Sequence, residues 1–132
     1  MAAKRSPSLP HPTDSELSIL RILWDRGQGT VREVLEVLNA ERGEEAGYTT
    51  VLKLMQIMHE KGLLLRDDTE RTHIYRAAAP PDRTQRQVVG DLMDRVFGGS
   101  ALALVQQALG AKKVSPEELK QIRELIQSLE RR

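Results

Sequence analysis

The sequence of 132 residues contains no cysteine. This absence excludes disulfides, thiolate-bound zinc or copper, cysteine-ligated iron–sulfur clusters and a thiol nucleophile, and it fits a reducing compartment. Long apolar runs are also missing, since no stretch approaches the roughly 18 to 20 residues that a membrane-spanning helix needs. Residues 1–9 lack the apolar core of a secretory signal. We therefore predict a cytoplasmic protein without membrane attachment, with residues 1–9 as a disordered tail.

An excess of charge of one sign is missing as well. The chain has 20 basic and 19 acidic residues, so that its formal net charge is +1. Bulk charge therefore favours neither a membrane surface nor a nucleic acid, and any polyanion must be bound by a local patch. With 39% hydrophobic and 30% charged residues, a chain of this length holds one globular domain, or a small domain with an appendage.

Residues suited to catalysis are not grouped in the sequence. His11, His59 and His73 stand far apart, and none lies at a metal-binding or catalytic spacing from a carboxylate. No serine forms a recognisable array with a histidine and an acid, and no glycine-rich loop carries the lysine of a phosphate-binding loop. We predict that the protein is not an enzyme and that it holds neither a metal nor a cofactor.

The hydrophobic spacing predicts three helices, a hairpin and three further helices. In chain order these are helices over about 14–26, 31–42 and 48–61, strands over 63–66 and 72–76, a helical stripe over 88–97, and helices over about 100–110 and 116–130. Alanines and prolines over 77–81 interrupt the pattern and predict a hinge. The predicted fold class is mostly α with a small β hairpin, as a winged helix-turn-helix domain over 10–79 and a helical dimerisation domain over 80–132.

The third predicted helix has an unusual outer face, because no acidic residue lies between Gly47 and His59. Its polar side chains are of the types that contact base edges and phosphates in DNA, namely Tyr48, Thr49, Thr50, Lys53 and Gln56. After two helices and before a hairpin, this helix has the position of the recognition helix of a winged helix-turn-helix. Arg71 and His73, near the tip of the hairpin, are weaker candidates for DNA contacts by the wing.

Short motifs along nearly the whole chain resemble, in their order and spacing, the penicillinase-repressor and methicillin-resistance-repressor family. The motifs are Thr13-Asp14-Ser15-Glu16-Leu17 with Leu23-Trp24, Thr30-Val31-Arg32-Glu33-Val34, Gly47-Tyr48-Thr49-Thr50-Val51, Lys61-Gly62-Leu63, His73-Ile74-Tyr75, Val96-Phe97-Gly98-Gly99-Ser100 and Val114-Ser115-Pro116-Glu117-Glu118-Leu119. The resemblance implies a bacterial transcriptional repressor that binds a palindromic operator in double-stranded DNA as a homodimer. It also assigns DNA contacts to the start and outer face of the third helix and to the wing.

Two departures from the family limit what the resemblance implies about release from DNA. In the β-lactam-responsive branch an Asn-Phe bond is cut in the helix after the double glycine, whereas this chain has Gln106-Gln107 there. The copper-responsive branch uses a cysteine cluster near the C-terminus, and this chain has no cysteine. We therefore expect release to depend neither on copper nor on a cut between Gln106 and Gln107.

The region after the hinge carries more apolar surface than so short a segment can bury alone. We expect this surface to be covered by the same surface of a second chain around a two-fold axis. The residues predicted to form the dimer contact are Leu92, Val96, Phe97, Leu119, Ile122, Leu125, Ile126 and Leu129.

The alternative function is a winged-helix protein-interaction module without specific DNA binding. Residues 1–79 carry 11 basic and 12 acidic side chains, which counts against strong nonspecific DNA binding. The repressor is preferred, because a packing module does not need the polar face formed by Thr49, Thr50 and Lys53.

Overall fold

The computed structural model describes residues 11–42, 46–111 and 113–132. Within these ranges the chain forms six helices and one antiparallel hairpin. The elements are α1 (Asp14–Arg26), α2 (Val31–Arg42), α3 (Tyr48–Lys61), β1 (Leu64–Asp67), β2 (Ile74–Ala77), α4 (Pro81–Val96), α5 (Ala101–Ala111) and α6 (Pro116–Glu130). The predicted mostly α fold with a small hairpin in winged-helix order is confirmed. The predicted tail over 1–9 lies outside the described residues.

The chain divides into two compact units, Met1–Val89 and Gly90–Arg132. The sequence-based division into domains over 10–79 and 80–132 rests on the alanine and proline run and stays a prediction. No helix among the described residues has both the length and the apolar content that crossing a bilayer requires.

Helices α1 and α2 begin with the same capping arrangement. Thr13 Oγ1 accepts from the Glu16 N–H at 3.2 Å, and a Glu16 carboxylate oxygen accepts from the Thr13 N–H at 2.8 Å. Thr30 and Glu33 repeat this exchange at 3.1 and 2.8 Å. Each threonine and glutamate pair thus satisfies two N–H groups that the helix leaves without intrahelical partners, and this fixes where the helix starts.

The core of the first unit lies where α1, α2, α3 and the hairpin meet. It consists of Ile19, Leu20, Ile22, Leu23, Val31, Val34, Leu35, Leu38, Val51, Met55, Met58, Leu63, Leu64 and Tyr75. These residues recur at helical spacing on α1, α2 and α3, so each helix buries one stripe and exposes the opposite one. This packing decides which face of α3 remains available to a partner.

The hairpin pairs Arg66 with Tyr75 and Leu64 with Ala77. Gly29, in the loop between α1 and α2, extends this pairing, because its N–H donates to the Tyr75 carbonyl at 2.9 Å and its carbonyl accepts from the Tyr75 N–H at 2.8 Å. The wing is therefore attached by backbone hydrogen bonds to the loop that precedes α2.

The first strand begins one residue later than the sequence predicts. Gly62 has a φ of 88° and ends α3 in the left-handed conformation, for which glycine is suited. The Leu63 N–H then donates to the Met58 carbonyl at 2.9 Å. Leu63 thus completes the end of α3, and strand pairing starts at Leu64.

The second unit consists of the end of α4 with α5 and α6. Ser115 caps α6, since its hydroxyl accepts from the Glu118 N–H at 3.1 Å, and Pro116 occupies the first turn. Neither α5 nor α6 contains a buried residue. The apolar side chains of this unit therefore remain largely uncovered within a single chain.

Candidate nucleic-acid interface

Helix α3 presents its predicted polar face to solvent. Val51, Met55 and Met58 are buried on the side that packs against α1 and α2. The spacing of Thr49, Lys53 and Gln56 places these three side chains on the opposite side, and all three are exposed. Thr50 is exposed as well. The structure thus leaves this face of the helix open to a partner.

A groove of about 460 Å³ adjoins the start of α3. Its lining comes from the start of α2, from α3 and from the hairpin, and consists of Thr30, Val31, Arg32, Tyr48, Leu52, Arg71, Thr72, His73 and Tyr75. The structure therefore brings the predicted residues Tyr48, Arg71 and His73 together at one groove. The other predicted residues, Thr49, Thr50, Lys53 and Gln56, do not line it and lie along α3 instead.

Six of the nine groove residues are missing from the sequence-based prediction, among them Thr30, Arg32 and Thr72. The guanidinium carbon of Arg32 lies 5.1 Å from the centre of the Tyr48 ring, within the range of a cation–π contact. The sequence places Arg32 at the start of the first helix of the helix-turn-helix, and this helix crosses the DNA backbone beside the recognition helix. This position alone does not indicate a DNA contact, and the contact with Tyr48 adds a structural reason for one.

Basic side chains of the first unit fall into two groups. Carboxylates neutralise several of them, since Glu33 pairs with Arg26 at 3.1 Å and Asp68 pairs with Arg66 at 2.7 Å. In the part of the chain that the structure describes, Arg32, Lys53 and Arg71 form no ion pair. The unneutralised cations thus include two that line the groove and one on the exposed face of α3.

The hairpin also borders a second groove, which has a mixed charge. A second groove of about 410 Å³ is lined by the acids Asp67 and Asp68 and by the arginines Arg66 and Arg76, together with Gln28, Leu65, Thr69 and Ile74. The Thr69 N–H and hydroxyl donate to Asp67 at 2.9 and 2.7 Å, and these bonds lower the pKa of Asp67. The first groove, in contrast, is lined by Arg71 and His73. The residues that line the first groove thus include no carboxylate, whereas acids and arginines balance in the lining of the second.

The Asp68 carboxylate lies close to two basic residues of the wing, Arg66 and His73. The Tyr75 hydroxyl and the Asp68 carboxylate raise the pKa of the Arg66 guanidinium. His73 Nε2 lies 3.7 Å from the same Asp68 carboxylate. His73 therefore has a carboxylate neighbour, whereas Arg71 forms no ion pair among the described residues.

The residues predicted to form a dimer contact lie on α4 and α6 and in the turn after α4. Leu92, Val96, Leu119, Leu125, Ile126 and Leu129 are exposed, and Phe97 and Ile122 are partly buried. Leu125 is 59% exposed and Leu129 is 50% exposed, and neighbouring exposed apolar side chains of this kind are typical of an interaction surface. On α6 these side chains form an apolar stripe that the described residues of its unit leave largely exposed.

Comparison with known proteins identifies the family. The sequence profile of the penicillinase repressor family matches residues 12–128. The chain is also similar to the transcriptional regulator BlaI of Mycobacterium tuberculosis, in strains CDC 1551 / Oshkosh and ATCC 25618 / H37Rv. The identity is 31% over 120 residues, which cover 89% of this chain and 83% of either relative. The resemblance inferred from the motifs is thus confirmed, and the chain belongs to the penicillinase repressor family of transcriptional regulators.

Proposed function

We propose that the protein is a bacterial transcriptional repressor that binds a palindromic operator as a homodimer. The observation that carries this proposal is the exposed polar face of α3 beside a groove with two unneutralised arginines, Arg32 and Arg71. Duplex DNA offers base edges to a helix in its major groove and phosphates to cations on either side of it. Because bacterial chromosomal DNA lies in the cytoplasm, we place the protein there.

Each part of the surface has a separate role in this proposal. Thr49, Thr50 and Gln56 face the base edges in the major groove, where hydroxyl and amide groups accept and donate hydrogen bonds. Lys53 binds phosphate. Arg71 and His73 bring the groove side of the wing to the DNA backbone.

The distribution of charge favours the repressor over the protein-interaction module. Residues 1–79 are close to neutral, which is the argument for such a module. Several of their acids, however, pair with Arg26, Lys61 and Arg66. Each such pair removes one cation and one acid, so the net charge stays close to neutral. The support for DNA binding comes from position, because Arg32, Lys53 and Arg71 form no ion pair among the described residues and lie on the surface proposed to bind DNA.

The homodimer follows from the apolar stripe of α6 and the exposed apolar residues at the end of α4. A second copy of the chain would cover them around a two-fold axis, as in an isologous interface. Such a dimer carries two α3 helices, and the second half-site is then bound intramolecularly. This raises affinity by a factor of about 10² to 10⁴ without any new DNA contact.

The proposal is tested by titrating genomic DNA fragments with the full chain in a gel-shift assay at low salt. We expect a subset of fragments to be shifted by the wild-type protein, and the shift to be weakened by Lys53→Ala. A matched control is Arg21→Ala, which removes an exposed cation from α1 and should leave the shift unchanged. If the wild-type protein shifts no fragment, the protein-interaction module is the better account.

A further inference from the structure

We propose that Arg32 is an additional phosphate-binding residue of the DNA interface and that its contact with Tyr48 positions the tyrosine ring at the start of α3. This proposal rests on the proposed function and deepens it. Nothing in the motifs of the third helix or of the wing assigns Arg32 a role. The argument begins with the place of Arg32 on its own helix.

Arg32 lies in the first turn of α2, directly after Val31. A helix N-terminus carries partial positive charge, so that a cation there is unfavourable. Glu33, the next residue, has the sign that the helix favours and also forms the cap with Thr30. Arg32 therefore does not serve the stability of α2, and its position calls for another explanation.

The surroundings of Arg32 do not neutralise its charge. Its side chain is exposed, and within the described ranges it forms no ion pair with a carboxylate. Arg26, six residues earlier, pairs with Glu33 instead. The helix N-terminus and the unpaired guanidinium thus place two sources of positive potential at the same wall of the groove.

The contact with Tyr48 restrains the guanidinium without using its hydrogen bonds. A guanidinium that lies over an aromatic ring uses its flat face, and the N–H groups along its edge remain free to bind a phosphate. The distance of 5.1 Å to the ring centre permits this arrangement. Arg32 is therefore restrained in advance, which reduces the conformational entropy lost when DNA binds.

Tyr48 in turn needs a restraint from outside α3. It is the first residue of the helix and is 42% exposed. The preceding residue, Gly47, has no side chain to cap the helix. A ring at such a helix end is held by its neighbours in space, and Arg32 covers it from α2. The contact between Arg32 and Tyr48 thus links α2 to the start of the proposed recognition helix, α3.

The test compares variants by fluorescence anisotropy on one recovered operator and on unrelated DNA over a range of salt concentrations. Arg32→Gln should weaken binding to both DNAs and reduce the magnitude of the slope of log affinity against log salt by about 0.9. Arg32→Lys keeps the charge but loses the planar group, so it should keep the slope and weaken operator binding by about 2-fold to 5-fold. Tyr48→Phe keeps the ring and should keep the slope.

Two controls separate this role from a general effect on folding. Arg21→Gln removes an exposed cation from α1 and should change neither the slope nor the affinity. In the DNA-free protein, Arg32→Gln should shift the NMR signals of the Tyr48 ring protons while the thermal unfolding midpoint stays within about 2 °C of wild type, because a surface substitution costs little stability.

An Arg32→Gln protein with the wild-type salt slope and unchanged Tyr48 signals would overturn the inference, while the proposed function would stand as long as the wild type binds its operator. A wild-type protein that binds no DNA at all would overturn both. The two failures are thus distinguished by the wild-type titration alone.

Discussion

Lys61, in the last turn of α3, donates hydrogen bonds from Nζ to both carboxylate oxygens of Glu16, at 3.0 and 2.8 Å. Glu16 belongs to the first turn of α1 and is 1% exposed. The same carboxylate accepts from the Thr13 N–H. One buried group therefore caps α1 and fixes the end of α3, the helix proposed to read DNA.

We predict that Glu16→Gln lowers the free energy of unfolding by about 1 to 3 kcal/mol, because it removes a charged partner from Lys61 at a buried site. The expected loss in the free energy of unfolding is smaller than for a fully buried ion pair, since the Lys61 side chain is 37% exposed. The matched control is Glu33→Gln, which changes the equivalent capping residue of α2. The Glu33 side chain is 46% exposed, so this change should cost less. Urea denaturation measures both, and an equal loss would contradict the special role of Glu16.

The stability that Glu16 contributes should depend on pH. Burial raises the pKa of Glu16, but the hydrogen bond from Lys61 and the N–H of Thr13 outweigh it, so the pKa lies below its ordinary value of 4.5. A carboxyl with a lowered pKa in the folded state stabilises the protein fully above the unfolded value, and this contribution is lost as the pH falls through the folded value. The difference between wild type and Glu16→Gln in urea denaturation should therefore shrink below about pH 4.5. A constant difference from pH 7 to pH 3 would contradict this assignment.

Much of the fold could be predicted from the sequence because its signals are local. The bounds of α1, α3 and α6 depend on caps and glycines within a few residues of each end, and the hydrophobic period is local as well. Strand β1 was placed one residue early, since the role of Leu63 depends on the Met58 carbonyl.

Contacts between residues far apart in the chain could not be predicted from the sequence. Glu16 reads as an ordinary first-turn acid, and its burial depends on Lys61, 45 residues later. The sequence shows only that Arg32 lies in the first turn of α2, and its contact with Tyr48 depends on the packing of α2 against α3. Of the candidate site, the face of α3 was thus predictable from composition and spacing, whereas the groove required the tertiary structure.

Two substitutions on α3 should weaken operator binding by different routes. Lys53→Ala should weaken binding to all DNA and reduce the magnitude of the salt slope by about 0.9, as expected for one lost phosphate contact. Thr50→Ala should cost about 1 to 3 kcal/mol on the operator and less on other sequences if the hydroxyl contacts a base. Salt-dependent anisotropy titrations distinguish the two. Unchanged binding in both variants, with folding intact, would remove α3 from the interface.

Charges placed on the apolar stripe of α6 should separate the dimer. We expect Leu125→Lys with Leu129→Lys to produce monomers in analytical ultracentrifugation and to weaken operator binding by a factor of about 10² to 10⁴. Gln127→Lys with Ser128→Lys adds the same charge outside the stripe and is the matched control. A wild-type chain that sediments as a monomer at micromolar concentration would show that this surface has another purpose.

The central claim is that the protein recognises a two-fold symmetric DNA sequence, and it is tested most directly by sequencing the genomic fragments that the purified full chain retains. We predict enrichment of a palindrome whose half-sites are centred about one helical turn apart, which is about 10 to 10.5 base pairs, or a multiple of this. This spacing is expected for two recognition helices related by a two-fold axis. Retained fragments without a shared motif, or with a single unrepeated half-site, would contradict the account of a dimeric operator-binding repressor.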